Sequence, residues 1–356
     1  MIKLKKVLFI GSLRSIQGRG RYLSFKEIMG DDNIDYFDAN DFVSKKFNKY
    51  LLAAWGKLGG SKLLDKIIKN HLKKCCNHKY LLVWIECPEF FGPISLEYIR
   101  TISDNVHLYG IDNPFVGQGR KRFSLFLRGI QFYTSMIFFR ESSVETARNI
   151  TSANIKREFQ CYPKFLYDYA QRLSSLNSEN INFYRPGALF IGTNIPQNNR
   201  LGVLKEIAKN IPSLHIYGNK WPNKLKCYPC QFIKTEIINE EYVKAIQTKC
   251  ANIVLLNKEN LDLCTLRSIE IPAFGGLALY PNTSDHEILL GENLNFLKFS
   301  NNYELIKKIN LLSIDSSFAK EMRIKLQKRI AKLKLSSSDS IKRQLHILSI
   351  KGLEKK

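Results

Sequence analysis

The sequence predicts an α/β protein of two Rossmann-like domains, each a doubly wound parallel sheet, facing each other across a cleft. Three observations lead there. The chain has 356 residues, more than one typical core organises, so two domains are expected. Short apolar runs alternate with helical segments along both halves, as parallel strands and their crossover helices do. Each half also opens on the same device, a strand that stops at Phe-Ile-Gly: Phe9-Ile-Gly11 and Phe190-Ile-Gly192.

In the first half, Lys6 to Gly11 reads as a buried strand entering a loop with Gly18 and Gly20, then a helix to about Met29. Ile34–Phe37 is a second strand, and Leu51 to Lys74 is helical with a break at Gly59-Gly60. Tyr80–Ile85 is a third strand, with a helix beginning near Pro93; Val106–Tyr109 is a fourth, and Ser135–Phe139 a fifth. Ser142 or Ser143 suits the N-cap of the helix that follows. Tyr162 to Arg185, bounded by Pro163 and Pro186, breaks the rhythm. The expected domains are therefore 1–165, a linker over 166–186, and 187–335, with a terminal basic helix over 336–356.

The second half opens with Ala188–Gly192 and a helix from about Arg200 to Asn210. Leu214–Gly218 and a short strand near Ile233 to Ile237 follow, then a helix from Glu240 to Cys250. Cys250–Asn257 reads as a buried central strand. A short helix starting near Thr265 and stopped by Gly275-Gly276, strands at Leu277 and Phe296–Phe299, and helices from Tyr303 onward complete the half. Phe318–Leu335 and Asp339–Leu348 form two amphipathic basic helices, the second capped by Ser338 or Asp339.

Composition narrows the class. Hydrophobic residues at 44% and aromatics at 12% belong to a globular chain, and no apolar run reaches bilayer length. Lys3, Lys5 and Lys6 precede an apolar run that Gly11 cuts short, which is a first strand and not a signal peptide. Eight cysteines without a regular framework point to reduced thiols and a cytoplasmic protein. Cys227-Tyr-Pro-Cys230 has no second pair at zinc spacing, and His71, Cys75, Cys76 and His78 sit among lysines at a solvated helix end. With 55 basic and 32 acidic side chains the net charge is +23, a field that attracts nucleic acid, anionic lipid or phosphorylated substrates alike. No nucleic-acid-binding motif accompanies it.

The stretch from Thr265 to Leu279 carries the chemistry. Arg267 and Glu270, three apart, share one helical face beyond the end of a buried strand, the layout of a ligand site at the carboxyl edge of a parallel sheet. The same spacing suits a plain βαβ unit whose two charges pair with each other.

Several features of the second half occur in a particular order. Phe190-Ile-Gly-Thr193 comes first, then Arg200, then His215-Ile-Tyr-Gly218 with Trp221. Ile253–Leu256 follows, and finally Thr265-x-Arg267-x-x-Glu270-Ile-Pro-Ala-x-Gly275-Gly. That order resembles the CgeB-like (spore-maturation-protein-like) glycosyltransferases, group-1 enzymes of the GT-B fold. In the first half, Val106–Tyr109 followed by Asp112-Asn-Pro-Phe115 is similar to their amino-terminal domain.

The resemblance implies a transferase that moves a sugar from a nucleotide-sugar donor to a glycan, lipid-linked or protein acceptor, in surface polysaccharide assembly. By the same resemblance Glu270 holds the ribose hydroxyls, which a carboxylate can accept in pairs. Thr265 and Leu266, at the helix start, would offer backbone N–H groups to the diphosphate. Arg267 and Arg200 would neutralise the leaving nucleoside diphosphate, with Gly192, Thr193, Gly218 and Asn219 at the nucleotide-facing strand ends. The upstream glutamate of many group-1 enzymes, eight residues before the ribose glutamate, is here Asp262.

No Asp-x-Asp triplet ends a strand, so no metal and no cofactor is expected. Asp112 is the candidate general base; a cap on the Asn-Pro turn is its alternative role. Glu86 and Glu89 are further candidates, and His107 is expected to be structural. The basic carboxyl-terminal face could rest on anionic lipid at the inner membrane surface, worth roughly 1 kcal/mol per well-placed lysine or arginine. Two other readings remain: a nucleic-acid-binding α/β protein, which the missing motifs disfavour, and a GT-B scaffold that binds nucleotide sugar without turnover.

Overall fold

The computed structural model describes residues 5–76, 78–176, 185–211, 213–222, 231–233 and 236–348. The chain forms two units, one of residues 1–159 with 337–356, the other of residues 160–336.

In the first unit the apolar runs become β1 (Lys5–Ile10), β2 (Ile34–Phe37), β3 (Tyr80–Ile85), β4 (Val106–Gly110), β5 (Ser135–Phe138) and β6 (Asn154–Arg157). All pair in parallel, in the order β2-β1-β3-β4-β5-β6. The central strands β1, β3, β4 and β5 are largely apolar because helices cover both faces, whereas the edge strand β6 has one apolar residue. Those helices are α1 (Ile16–Met29), α2 (Ala39–Lys46), α3 (Lys49–Leu58), α4 (Lys62–Cys75), α5 (Pro93–Ile102), α6 (Gly117–Arg122), α7 (Ser124–Gly129) and α8 (Glu141–Arg148).

Their starts are chemically marked. Ser15, Asp38, Asn48 and Ser61 each accept a bond from an amide three residues on, taking one of the donors a helix start leaves unpaired. Asp65 does this at a distance. Buried on α4, it accepts from the amides of Gly92 (2.9 Å), Ile94 (2.8 Å) and Ser95 (3.0 Å), capping α5 across the fold. The helix after β5 differs from expectation: it begins at Glu141 behind Arg140, and Ser143 is buried inside it.

The second unit repeats the scheme with β7 (Arg185–Ile191), β8 (Leu214–Tyr217), β9 (Gln231–Ile233), β10 (Lys249–Ile253), β11 (Ala278–Pro281) and β12 (Lys298–Phe299). Their order, β12-β11-β10-β7-β8-β9, reverses direction between β7 and β10. That is the dinucleotide-fold order, whose crevice lies at the carboxyl ends of the two strands flanking the reversal. The helices are α9 (Lys164–Leu176), α10 (Arg200–Asn210), α11 (Asn239–Thr248), α12 (Leu266–Ala273), α13 (Ser284–Leu290), α14 (Asn302–Ile314) and α15 (Ser316–Lys332). α9 occupies much of the stretch expected to be linker, and it packs on α11 within this unit. The central strand begins at Lys249, one residue earlier than expected, and ends at Ile253.

The chain then returns to the first unit as α16 (Ser337–Ile347), which packs against α1. Its serines permit the close approach: the hydroxyls of Ser337 and Ser24 are 2.7 Å apart, and Ser338 donates to Glu27 at 3.0 Å. Ile341 and Leu345 fill the space beside them. Cys227 and Cys230 lie outside the described residues. Among the described residues no helix is long and apolar enough to cross a membrane.

Gly218 shows how tightly the second sheet's carboxyl edge is drawn. Its φ of 135° is one few side chains tolerate, and a Cβ there would lie 2.2 Å from the Gly192 carbonyl oxygen. Gly218→Ala should therefore destabilise the protein by about 2 kcal/mol or more, visible as a lowered urea midpoint with an unchanged slope. An unaltered midpoint would show that the two loops can part at little cost.

Candidate functional site

At the reversal point of the second sheet, one side chain ties the two strand ends together. Arg200, the first residue of α10, is only 8% exposed. Its guanidinium donates to the Thr193 carbonyl beyond β7 (2.8 Å) and to those of Leu255 and Leu256 beyond β10 (3.3 Å each). A second tie runs alongside: Asn198 donates to Asn257 at 2.9 Å and accepts from the Lys258 amide at 3.1 Å. Burial draws the arginine below its ordinary range, and the charge of Asp262 opposes that shift. A positive charge is thus built into the crevice, its two terminal nitrogens occupied by backbone.

The neighbouring strand ends are joined through Gly192. Its amide donates to the Tyr217 carbonyl (2.9 Å), and its carbonyl accepts from the Trp221 indole (2.9 Å). Thr193 is half-buried beside it. Asn219 is exposed, its carbonyl accepting from the Asn194 amide at 3.0 Å and its side chain donating to Glu236 at 3.1 Å. Gly192, Thr193, Arg200, Gly218 and Asn219 therefore gather at one edge of one sheet.

The predicted helix is α12, with Thr265 at its cap and Leu266 as its first residue. Glu270 is 1% exposed, and its carboxylate accepts from the Arg267 guanidinium and from the Tyr242 hydroxyl on α11 (3.0 Å). Arg267, 36% exposed, lies over the Tyr242 ring at 4.4 Å from its centre. The two charges do pair, and a tyrosine that nothing in the sequence marks completes the group. Its buried hydroxyl is pushed well above the ordinary tyrosine range by desolvation, so it serves as a donor.

α12 is braced from behind by buried polar groups. Pro272 has no N–H for the Ser268 carbonyl one turn back, and the Tyr280 hydroxyl supplies that bond instead (3.1 Å). The Thr265 amide donates to Ser268 Oγ (3.2 Å), and Ser268 Oγ lies 2.9 Å from His286 Nε2. His286 Nδ1 lies 2.8 Å from the Pro281 carbonyl, which can only accept, so the proton sits on Nδ1 and Ser268 donates to Nε2. The helix closes in a Schellman turn, Gly276 N to Ile271 O (2.8 Å) and Gly275 N to Pro272 O (3.1 Å), with Gly275 at φ 91°.

In the first unit a cavity of about 170 Å³ opens at the carboxyl ends of β1, β3 and β4, where that sheet's order reverses. Asp112 lines it, half-exposed, 3.2 Å from Arg122. Arg122 also pairs with Glu89. Glu86 is otherwise engaged: its carboxylate holds Arg21, with one bond of 2.8 Å, and accepts from the Trp84 indole at 2.9 Å. His107 is buried, 2.8 Å from Ser135 Oγ, and desolvation pushes it down to about 3, which keeps it neutral. His71 stacks on Phe42, with ring centres 4.1 Å apart, and the free thiols of Cys75 and Cys76 share a hydrogen bond of 3.5 Å. Among the described residues no group of three or more His, Cys, Asp or Glu is placed to hold a metal ion.

Comparison with known proteins fits this architecture. Alpha,alpha-trehalose 6-phosphate synthase from Burkholderia multivorans is similar in structure, with a TM-score of 0.60 at 10% identity over 97% of this chain and 99% of that one. The UDP-forming alpha,alpha-trehalose-phosphate synthase from Burkholderia vietnamiensis gives 0.64 at 7% identity over 97% and 100%. TarM gives 0.54 at 15% identity over 79% of this chain and 57% of its own. At such identities the likeness establishes the fold, which is GT-B: two Rossmann-like units in one chain. Residues 200–335 match the family described as glycosyl transferase-like. None of the curated proteins matches in sequence. The chain is a glycosyltransferase, and the matched segment runs from Arg200 through α12 to the end of the second unit.

The brace behind α12 carries a pH signature. Desolvation lowers His286 to about 4, so between pH 6.5 and 4 the unfolded chain binds a proton that the folded one refuses. Stability should fall on acidification across that window, by up to about 3 kcal/mol from this residue. Urea unfolding at several pH values should show a shallower dependence in His286→Gln than in the wild type. An equal dependence would show that His286 is not the group responsible.

Proposed function

We propose that the chain moves a sugar from a nucleotide-sugar donor, held by the second unit, to an acceptor held by the first. In this reading it is a metal-independent, CgeB-like enzyme of surface-glycan assembly, working in the cytoplasm. The observation that supports it most is the Arg267–Glu270–Tyr242 group on a helix that starts at the carboxyl edge of a dinucleotide-type sheet. An ionised carboxylate can accept two hydroxyls of a ribose. As the ribose takes Glu270, Arg267 is released from its partner and turns to the diphosphate. Donor binding thus replaces one charge-assisted bond with two.

Glycosyl transfer builds negative charge on the departing nucleoside diphosphate, and groups that gain most from that charge lower the barrier most. Arg267 supplies a mobile cation with hydrogen-bond donors. Arg200 supplies a fixed one whose field acts without its terminal N–H groups. The amides of the first turn of α12, from Leu266 onward, add their dipole. With two arginines in place the donor needs no divalent ion. Proton removal from the acceptor is assigned to Asp112, whose carboxylate lines the first unit's cavity.

Calorimetry with nucleoside diphosphates tests the donor site. Glu270→Ala and Arg267→Ala should each weaken binding about tenfold or more, a loss of roughly 1.4 kcal/mol, with the protein still folded. Unchanged affinity in both variants would remove the proposed site. Sugar transfer should also survive chelation by EDTA; activity lost on chelation and restored by magnesium would overturn the metal-free mechanism.

A further inference from the structure

Beside the first unit's cavity lies a second one with a more extensive apolar wall. Of about 350 Å³, it has a wall of Val43, Leu52, Trp55, Leu64 and Phe90, and Arg14, Asp41 and Ser44 also line it. The two cavities share a wall, since Asn40, Glu89 and Arg122 line both. Arg122 is fixed within that wall, its two terminal nitrogens on Asp112 and Glu89. One compartment carries the carboxylates of Glu86, Glu89 and Asp112 and the hydroxyls of Ser12 and Ser15, and the other joins a hydrocarbon wall to the charged pair of Arg14 and Asp41.

A solute that satisfies both compartments is amphipathic. Carboxylates and serine hydroxyls recognise a polyol, accepting or donating to its hydroxyl groups. An apolar cavity gains from an occupant that displaces its water. Exposed apolar side chains adjoin the lining residues in sequence. Next to the lining residues Leu52 and Leu64, Leu51 and Leu63 are exposed, Leu63 by 62%, and Tyr50 by 74%. Exposed lysines at 45, 46 and 62 flank them, the mixture that suits contact with an anionic bilayer.

We propose that the acceptor is an amphiphile, a hydroxylated head group on a hydrocarbon tail. The head occupies the cavity near Asp112, and the tail lies along the wall of Leu52, Trp55 and Leu64 in the second, on α3 and α4. This rests on the reading of the chain as a sugar transferase and names the acceptor class for it.

The test uses the full chain and short alkyl β-glycosides of glucose, galactose and N-acetylglucosamine with methyl, hexyl and octyl tails. Binding is measured by calorimetry below their micelle-forming concentrations. Affinity for the preferred head group should rise roughly threefold per added methylene until the cavity is full. Leu52→Glu should abolish that gain and leave binding of the methyl glycoside unchanged. Equal affinity for methyl and octyl glycosides would overturn the proposal, as would an equal gain in the Leu52→Glu protein, which would mark nonspecific adsorption. So would failure of every glycoside to bind a protein that still binds nucleoside diphosphate. Nucleoside diphosphate binding, measured in parallel, tests the donor site separately, so failure of one reading is told apart from failure of the other.

Discussion

A parallel sheet whose strand order reverses parts its crossover connections at one place, and something must hold the two strand ends there. In both units an arginine from the first helix does so. Arg21 on α1 reaches Glu86 at the end of β3, and Arg200 at the start of α10 reaches the carbonyls beyond β10. A buried guanidinium is costly unless it is paired and hydrogen-bonded, and the two units meet that requirement differently. In the first the partner is a carboxylate, so the charges cancel. In the second the hydrogen-bond partners are neutral carbonyls, so the charge is offset through space by Asp262 and not cancelled by a bonded partner. The second crevice is thereby suited to an anion before any ligand arrives.

The same contrast between fixed and exchangeable groups runs through α12. Its rear is held through Ser268, whose carbonyl accepts from Tyr280 and whose hydroxyl donates to His286, all three residues buried. Its front carries Arg267, half-exposed and bonded to the Glu270 carboxylate, which in the proposed function a ligand's hydroxyls claim. A rigid back lets the front exchange partners without moving the backbone, which is the preorganisation that charge-stabilising catalysis needs.

Much of this could be read from residue order, and the exceptions have physical causes. The strands were legible because burial on both faces makes them continuous apolar runs. β6 was not, since Asn154-Ile-Lys-Arg157 has a single apolar residue and lies at the sheet edge, where one face suffices. α9 was hidden between prolines that read as punctuation. The Arg267–Glu270 contact follows from helical spacing alone. Tyr242 could not be found that way, because it meets Glu270 across 28 positions of sequence. Arg200 was legible as a charge at the crevice. Its bonds to main-chain carbonyls were not, because a backbone acceptor leaves no trace in residue identity.

The return of α16 to the first unit has a consequence for synthesis on the ribosome. Ser337, Ile341 and Leu345 are buried against a helix that emerged more than three hundred residues earlier. The first unit can collapse around its sheet while translation continues, but one flank of α1 stays uncovered until the whole second unit has been made. Translation therefore sets the order of completion: the flank of α1 around Ser24 and Glu27 stays open until α16 has been made.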